Sequence, residues 1–556
     1  MNTVLSLQDP EAARRYYEAG HWRPETMYMV LRRHALASPD KFALRDSVDR
    51  LTYGEVLAWV DALAEDLRGA GVRPGQRLSV WLPSRAESVI ILLACSRMGY
   101  VANTSLHFDY TCDDVVALVE RARSAALFAE PGYGTDAECN NIFEVAASHK
   151  GLRKVYRLEP LETRAGQGDE APRFGGLRPA MGSSLPFATN PDRIVYLAFT
   201  SGTTGLPKGV MHSDNTLLAN GRAIAKDWRL DDSSVLYTLS PMSHNMGTVA
   251  LVTTLAAGGE LVVHGPMDAR RALDRIIETG ATYGVGVPTH AIDLIAEARA
   301  RGIATLGSVT GFQLSGAPIP GEVVEALLEM GVTPQNTFGM TENCSFQYTR
   351  PDDDAATIIN TCGRSSDGFE IKIFDQVTPD AEVAPGEVGE MGARGASLML
   401  GYYDDQAVTE DAFNRGGWFM TGDLARIDDN GNAQIAGRKK DLIIRGGHNI
   451  YPARIEDLTL RHPSVAKAAA FPVADDRLGE KVCLAVIPRA TEDVDAQDIL
   501  NHLDSRGLSK YDMPEYFLSV ETFPLTASGK ILKRRLVEMV ATGALRPKPV
   551  RWRPTT

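Results

Sequence analysis

The sequence predicts a mixed α/β protein of more than one domain. Three observations carry that expectation. At 556 residues the chain is too long for one ordinary core and suggests two to four domains. Short apolar runs alternate with helical patterns, the βα rhythm of layered α/β folds. The texture also changes after Gly437-Arg438-Lys439-Lys440-Asp441, where the glycine pair Gly446-Gly447 opens a compact alternation of strands and helices running to the end.

In chain order, Gln76-Arg77-Leu78-Ser79-Val80-Trp81-Leu82 reads as a buried strand and Ala86 to Ser96 as a helix. The stretch from Glu162 to Asn190, rich in Gly, Pro and Ser, reads as a surface loop and spacer. It leads into Ile194-Val195-Tyr196-Leu197-Ala198-Phe199, an apolar, β-favouring run expected to be a buried strand. Asn245 to Gly259 is an uncharged stretch, threonine- and glycine-dotted and short of the ~20 residues that span a bilayer, so a buried helix is expected. Gly259-Glu260-Leu261-Val262-Val263-His264 reads as a strand and Ala269 to Thr279 as a helix. From Lys530 to Thr556 eight basic residues face the single acid Glu538, which reads as a solvated surface, with phosphate binding as the competing reading. No repeat of solenoid period occurs.

Charged residues make up 23% and hydrophobic ones 44%, ordinary globular usage that leaves no room for extensive disorder. A net charge of −13 argues against a nucleic-acid surface but allows a local anion site. The six cysteines are scattered without CxxC spacing, so neither a zinc site nor a disulfide framework is indicated. With neither a signal-peptide pattern nor a membrane-length apolar run, a cytoplasmic enzyme without membrane partners is expected.

Tyr196-Leu197-Ala198-Phe199-Thr200-Ser201-Gly202-Thr203-Thr204-Gly205-Leu206-Pro207-Lys208-Gly209-Val210 carries the most chemistry. Its hydroxyls can donate to an anion, its glycines let backbone N–H groups approach one, and Lys208 supplies charge. Lys208 comes three residues after Gly205 and precedes Gly209 rather than a Mg²⁺-binding hydroxyl, so this is not a Walker loop. A plain turn is the competing reading.

The full order of that stretch resembles the phosphate-binding signature of the adenylate-forming superfamily of acyl- and aryl-CoA synthetases, adenylation domains and luciferases. Further stretches resemble it in the same order: Ser240-Pro241-Met242-Ser243-His244-Asn245, Leu314-Ser315-Gly316-Ala317-Pro318, Phe338-Gly339-Met340-Thr341-Glu342, Trp418-Phe419-Met420-Thr421-Gly422-Asp423, Gly437 to Asp441, and Pro524-Leu525-Thr526-Ala527-Ser528-Gly529-Lys530. The resemblance implies a large N-terminal domain, residues 1–438, of layered sheets and helices, and a small mobile α+β domain, residues 439–556, turning about Lys440. It implies an AMP-forming acid–thiol ligase using ATP, Mg²⁺ and CoA on a small carboxylic acid.

The roles implied follow residue by residue. Lys530 bridges the carboxylate and the α-phosphate, and a compact ammonium suits both. Thr200, Ser201, Gly202, Thr203, Thr204, Gly205 and Lys208 hold phosphate; Gly316, Ala317 and Pro318 pass under adenine, and Phe338 and Gly339 flank it. Thr341 donates to the α-phosphate. Glu342 holds Mg²⁺, since a carboxylate beside phosphates requires a cation. Asp423 accepts the ribose hydroxyls, reinforced by Arg438. His244, Asn245, Met246, Ala250, Gly286, Thr337 and Met340 form the acyl pocket, and Gly446 and Gly447 line the passage of the thiol.

The His244-Asn245 neighbourhood resembles dihydroxybenzoate-activating enzymes and cyclohexanecarboxylate–CoA ligases. In the former an aromatic residue follows the asparagine and a serine lies five residues beyond it; here Met246 and Ala250 stand there. A pocket without that hydroxyl suits an apolar ring, cyclohexanecarboxylate first and benzoate-like acids next. Alternatives are a medium-chain fatty acid–CoA ligase, loading of a carrier-protein phosphopantetheine, and a non-catalytic nucleotide-binding module. A dehydrogenase is disfavoured because Gly284-Val285-Gly286-Val287-Pro288 lacks the third glycine of GxGxxG.

Overall fold

A computed structural model describes residues 9–147, 149–165, 173–174, 176–179, 185–200, 207–265, 268–489, 494–525 and 531–552. The chain divides into two compact units, Met1–Ile371 with Ala393–Phe413, and Lys372–Gly392 with Asn414–Thr556. The fold is mixed α/β, a large sheet-rich unit and a smaller α+β one, in line with the fold class expected. Compactness draws the second unit to include strands before residue 438, among them Phe419–Ile427 and Ala433–Arg438.

In the first unit six parallel strands form the body of a nine-stranded sheet: Thr333–Met340, Gly311–Ser315, Tyr283–Gly286, Val235–Thr238, Glu260–Val263 and Phe42–Arg45. Antiparallel strands close its edges, Cys344–Tyr348 and Arg364–Ser365 on one side and Arg50–Thr52 on the other. A six-stranded sheet runs Lys154–Arg157, Ser124–Ala129, Arg77–Trp81, Val101–Asn103, Ile194–Thr200, Lys208–Ser213, with only the last antiparallel. The strands read from apolar runs at 76–82, 194–199 and 259–264 are all present, as are helices Ala86–Met98 and Ala269–Thr279.

Helix Asn245–Ala257 is buried along most of its length, which suits an apolar sequence without a polar face. It packs on helix Asp214–Asp227 and on the nine-stranded sheet. One continuous core runs from Leu78 and Val80 of the smaller sheet through Ile90, Leu217 and Val249 of the helices to Leu236, Leu261 and Val285 of the larger. No described helix is long and apolar enough to cross a membrane.

The segment read as a surface spacer contains two anchors. Arg164 and Arg173 are buried, and both pair with Asp49 and Glu87; Arg173 lies 2.8 and 2.9 Å from them. Arg85 reaches Glu87 at 2.8 Å and Glu130 at 2.6 Å in the same network. Burial, followed by repulsion from Arg173, pulls the Arg164 guanidinium down to about 10. Composition hid this because the buried charges are matched by acids more than 70 residues away in sequence.

The second unit holds a sheet ordered His448–Ile450, Ile443–Arg445, Gly479–Pro488, Tyr516–Ser519, Lys548–Pro549, with Val465–Asp475 also paired to Gly479–Pro488. A separate four-stranded sheet, whose first strand begins at Phe369, includes the antiparallel pair Phe419–Ile427 and Ala433–Arg438.

Candidate active site

Strands Ile194–Thr200 and Lys208–Ser213 pair in a register that sets Thr200 opposite Lys208. The Thr200 hydroxyl donates to the Lys208 carbonyl at 3.4 Å. Ser201, Gly202, Thr203, Thr204 and Gly205 lie outside the described residues. Lys208 opens the strand that follows them in sequence, paired with Thr200.

Thr341 and Glu342 sit at the tip of another hairpin, between Thr333–Met340 and Cys344–Tyr348, where Met340 faces Cys344. The reversal is tight. Cys344 adopts φ 57°, and a Cβ on Gly339 would stand 2.3 Å from the Cys344 carbonyl oxygen, so only glycine fits there without shifting backbone.

Two contacts tie this tip to the strand of Lys208. The fully buried His212 places Nε2 2.7 Å from the Thr341 carbonyl and Nδ1 3.1 Å from the Thr216 hydroxyl. Burial pulls the His212 imidazole down to about 4, so it is neutral at pH 7, with Nε2–H donating to Thr341. The second contact comes from Met399–Tyr403, which runs alongside the strand: Met211 N donates to Gly401 O, Leu400 N to Met211 O, and Tyr403 N to Gly209 O. Met399 N donates to the Glu342 carbonyl at 2.7 Å, and the Tyr402 hydroxyl donates to Glu342 Oε1 at 2.9 Å. Lys208 Nζ lies 4.9 Å from the centroid of the Tyr402 ring. Lys208, far in sequence from the adjacent Thr341 and Glu342, is thus gathered with them at one place.

The other nucleotide and acyl candidates of this unit fall at the carboxyl ends of parallel strands, where open α/β sheets bind ligands. Gly286 ends one strand and pairs with Leu314 of the next; Gly316, with φ +92°, Ala317 and Pro318 follow that strand. Thr337 is buried opposite Ser315, and the half-buried Phe338 meets Phe346 edge-on at 5.7 Å. Gly339 and Met340 complete the same strand.

His244 caps helix Asn245–Ala257, its Nδ1 accepting from Met246 N at 3.3 Å. His107 supports that turn with Nδ1 3.1 Å from the Ser243 hydroxyl. Asn245, Met246 and Ala250 are buried on the helix, and Met246 Sδ accepts from the Ser345 hydroxyl at 3.7 Å. Beside them the Cys344 thiol is pushed up to about 12 by burial, with a contact from the Asn245 side chain pulling the other way.

Within the second unit, Asp423 lies directly opposite Arg438, whose Nε donates to Asp423 Oδ1 at 3.2 Å; Asp423 N donates to the Thr421 hydroxyl at 3.1 Å. Lys440 lies on the 3₁₀ turn Lys439–Asp441, and its neighbour Lys439 reaches the buried Glu390 at 2.7 Å. Gly446 and Gly447 have φ +58° and +85° and join Ile443–Arg445 to His448–Ile450 as a two-residue hairpin turn. Positive φ at both positions matches the twist of the flanking strands and explains the glycine pair locally. Lys530 lies outside the described residues.

Sequence reasoning missed His212 and Tyr402. Gly401-Tyr402-Tyr403 carries no periodic or spacing signal of its own; its role arises from pairing with a strand about 190 residues earlier.

No cluster of three or more metal-ligating side chains occurs among the described residues. Mg²⁺ in phosphoryl chemistry uses one or two carboxylates together with substrate oxygens and water. A single buried carboxylate, oriented by a phenol with a lysine nearby, fits such an ion.

A model of the AMP-binding enzyme family matches residues 31–403, and one of the AMP-binding enzyme C-terminal domain matches residues 454–530. The chain belongs to the AMP-binding enzyme family. As an adenylate-forming enzyme it is of the AMP-forming acyl- or aryl-CoA ligase class, which works with ATP, Mg²⁺ and CoA. It is 28% identical over 549 residues to the medium-chain fatty-acid–CoA ligase of Escherichia coli (strain K12), covering 96% of this chain and 93% of that protein. It is 32% identical over 557 residues to the salicylyl-CoA synthase / salicylate adenylyltransferase of a Streptomyces species, covering 95% of this chain and 96% of that one. Among solved structures, ATP-bound MatB from Rhodopseudomonas palustris matches with a TM-score of 0.78 and 26% identity, over 93% of this chain and 99% of that chain.

Proposed function

We propose that this adenylate-forming enzyme activates a ring carboxylic acid, cyclohexanecarboxylate first and benzoate-like acids next, and passes the acyl group to CoA. The observation that carries the adenylating half is the gathering of Lys208, Thr341 and Glu342 by His212 and Tyr402. In this reading the acid's carboxylate oxygen attacks the α-phosphorus of ATP and pyrophosphate leaves, and the CoA thiol then displaces AMP from the acyl-adenylate. Lys208 with residues 201–205 holds phosphate, Thr341 and Lys530 face the α-phosphate, and Asp423 with Arg438 receives the ribose. Glu342 would hold Mg²⁺, which when bound would supply charge neutralisation for the phosphates. The domain boundary after residue 438, the pivot at Lys440 and the thiol passage at Gly446-Gly447 belong to the same proposal. Six free cysteines, four of them buried, accord with a reducing, cytoplasmic setting.

The ring-acid reading is supported by Met246 and Ala250 where a catechol site has an aromatic residue and a serine. An apolar ring gains about 0.8 kcal/mol per buried CH₂. A ring hydroxyl buried without a partner loses about 1–3 kcal/mol. Pyrophosphate release should therefore show a higher kcat/KM for cyclohexanecarboxylate than for 2,3-dihydroxybenzoate, and Ala250→Ser should narrow the gap. Equal or reversed preference in the parent overturns the ring assignment. A medium-chain preference in the same screen would favour the 28%-identical relative's acid class instead, and pyrophosphate release without thioester formation from CoA would favour a carrier-protein acceptor.

A further inference from the structure

We propose that Tyr402 is a positioning residue for the magnesium site, its phenol fixing the carboxylate of Glu342 in the orientation that accepts the metal. The inference rests on the reading of Glu342 as the metal carboxylate and goes beyond it, because no motif or role above includes Tyr402.

The geometry is specific. Tyr402 is 6% exposed and Glu342 8%, so their 2.9 Å hydrogen bond is shielded from water that would otherwise compete for the same oxygen. The Tyr402 backbone is fixed as well: the Thr409 hydroxyl accepts from Tyr402 N at 2.9 Å, and Val210 and Tyr402 form an isolated antiparallel bridge. The Lys208 ammonium over the ring face favours one ring orientation. A carboxylate on a hairpin tip has two free side-chain torsions beyond χ1. Holding Oε1 from a segment hydrogen-bonded to the Lys208 strand removes that freedom before the metal arrives, as partners of metal ligands commonly do.

The test measures metal binding apart from turnover. Mn²⁺ is titrated by electron paramagnetic resonance into enzyme saturated with α,β-methylene-ATP, for the parent, Tyr402→Phe, Glu342→Gln and the double variant. Tyr403→Phe serves as a control on the same strap, since its hydroxyl only reaches the Ala122 carbonyl at 3.4 Å. Tyr402→Phe should weaken Mn²⁺ about 10-fold or more. It should leave metal-free binding of the analogue and the melting temperature unchanged, and it should add nothing in the Glu342→Gln background. Tyr403→Phe should match the parent. If Glu342→Gln weakens Mn²⁺ while Tyr402→Phe does not, the positioning role is overturned and the Glu342 reading stands. If Glu342→Gln has no effect, the metal assignment itself fails. Additive losses in the double variant, or an equal loss in Tyr403→Phe, would make Tyr402 a purely structural residue and overturn the inference.

Discussion

Two buried residues near the phosphate strand respond to pH in opposite senses. Asp214 Oδ1 accepts from Met27 N at 2.8 Å and from the Ser96 hydroxyl at 2.7 Å, yet burial pushes its carboxyl up to about 6. The folded state therefore binds the proton more tightly than the unfolded one, and this share of stability is lost as pH rises from about 4 to about 6. His212 is pulled down to about 4, so its share is lost as pH falls from about 6.5 toward 4. Asp214→Asn keeps an oxygen for both donors and removes the buried charge. Thermal melting at a fixed scan rate should find the variant gaining stability more steeply than the parent between pH 4 and pH 6, and more stable at pH 7, by an amount bounded at about 3 kcal/mol. A parent-like slope would show that Asp214 titrates normally. Neither shift was legible in the sequence, where Val210-Met211-His212-Ser213-Asp214 reads only as the exit of the phosphate signature; the cause is enclosure, of Asp214 beside the helices of residues 27–37 and 86–98 and of His212 beside Thr216, Tyr196 and the Thr341 turn, which no local pattern announces.

At the scale of elements, local chemistry was legible wherever a strand, turn or cap depends on its own residues. Apolar runs marked the strands, and the uncharged stretch from Asn245 marked a helix buried on most sides. The Gly446-Gly447 pair stood out in the sequence and proves to be a two-residue turn with both φ positive. Long-range matches were not legible: the acids that bury Arg164 and Arg173, and the strap bearing Tyr402, are set by register. The hairpin carrying Thr341 and Glu342 gives the sharpest element-level prediction. Gly339→Ala brings a Cβ to 2.3 Å from a backbone oxygen, which cannot turn aside as a side chain would. Opening the hairpin should cost about 1–3 kcal/mol, the usual range for overpacking, and should depress adenylation beyond what the lower stability explains. Gly69→Ala, in the last turn of helix Tyr53–Gly69 with nothing within 4 Å of the added carbon, is the matched control and should be neutral or stabilising. A Gly339→Ala enzyme with parental melting and adenylation would show that the tip relaxes freely and that its tight geometry has no bearing on the site.

At the scale of the whole molecule the candidate residues divide between two compact units. Lys208, Thr341, Glu342 and the acyl residues belong to the first, while Asp423, Arg438, Lys440 and the glycine pair belong to the second. The proposed chemistry asks the C-terminal segment to serve two steps, bringing Lys530 to the α-phosphate in one and the Gly446-Gly447 turn to the thiol's path in the other. Removing a preorganised cation from a developing phosphorus charge costs several kcal/mol, about a factor of ten in rate for each 1.4 kcal/mol. Lys530→Ala should therefore fail to form acyl-adenylate from acid and ATP, yet convert synthetic acyl-adenylate and CoA to thioester at close to the parental rate. Lys440 belongs to a 3₁₀ turn, and proline there would fix its φ and crowd Lys439 before it, restricting any rotation through this point. Lys440→Pro should retain pyrophosphate release and lose thioester formation, whereas Lys440→Ala, which leaves φ unrestricted, should keep both. Single-turnover assays of each half-reaction on the folded variants separate the cases. Equal loss of both steps in Lys530→Ala and Lys440→Pro would overturn the two-pose account, because a site that works in one arrangement has no means of losing its steps one at a time.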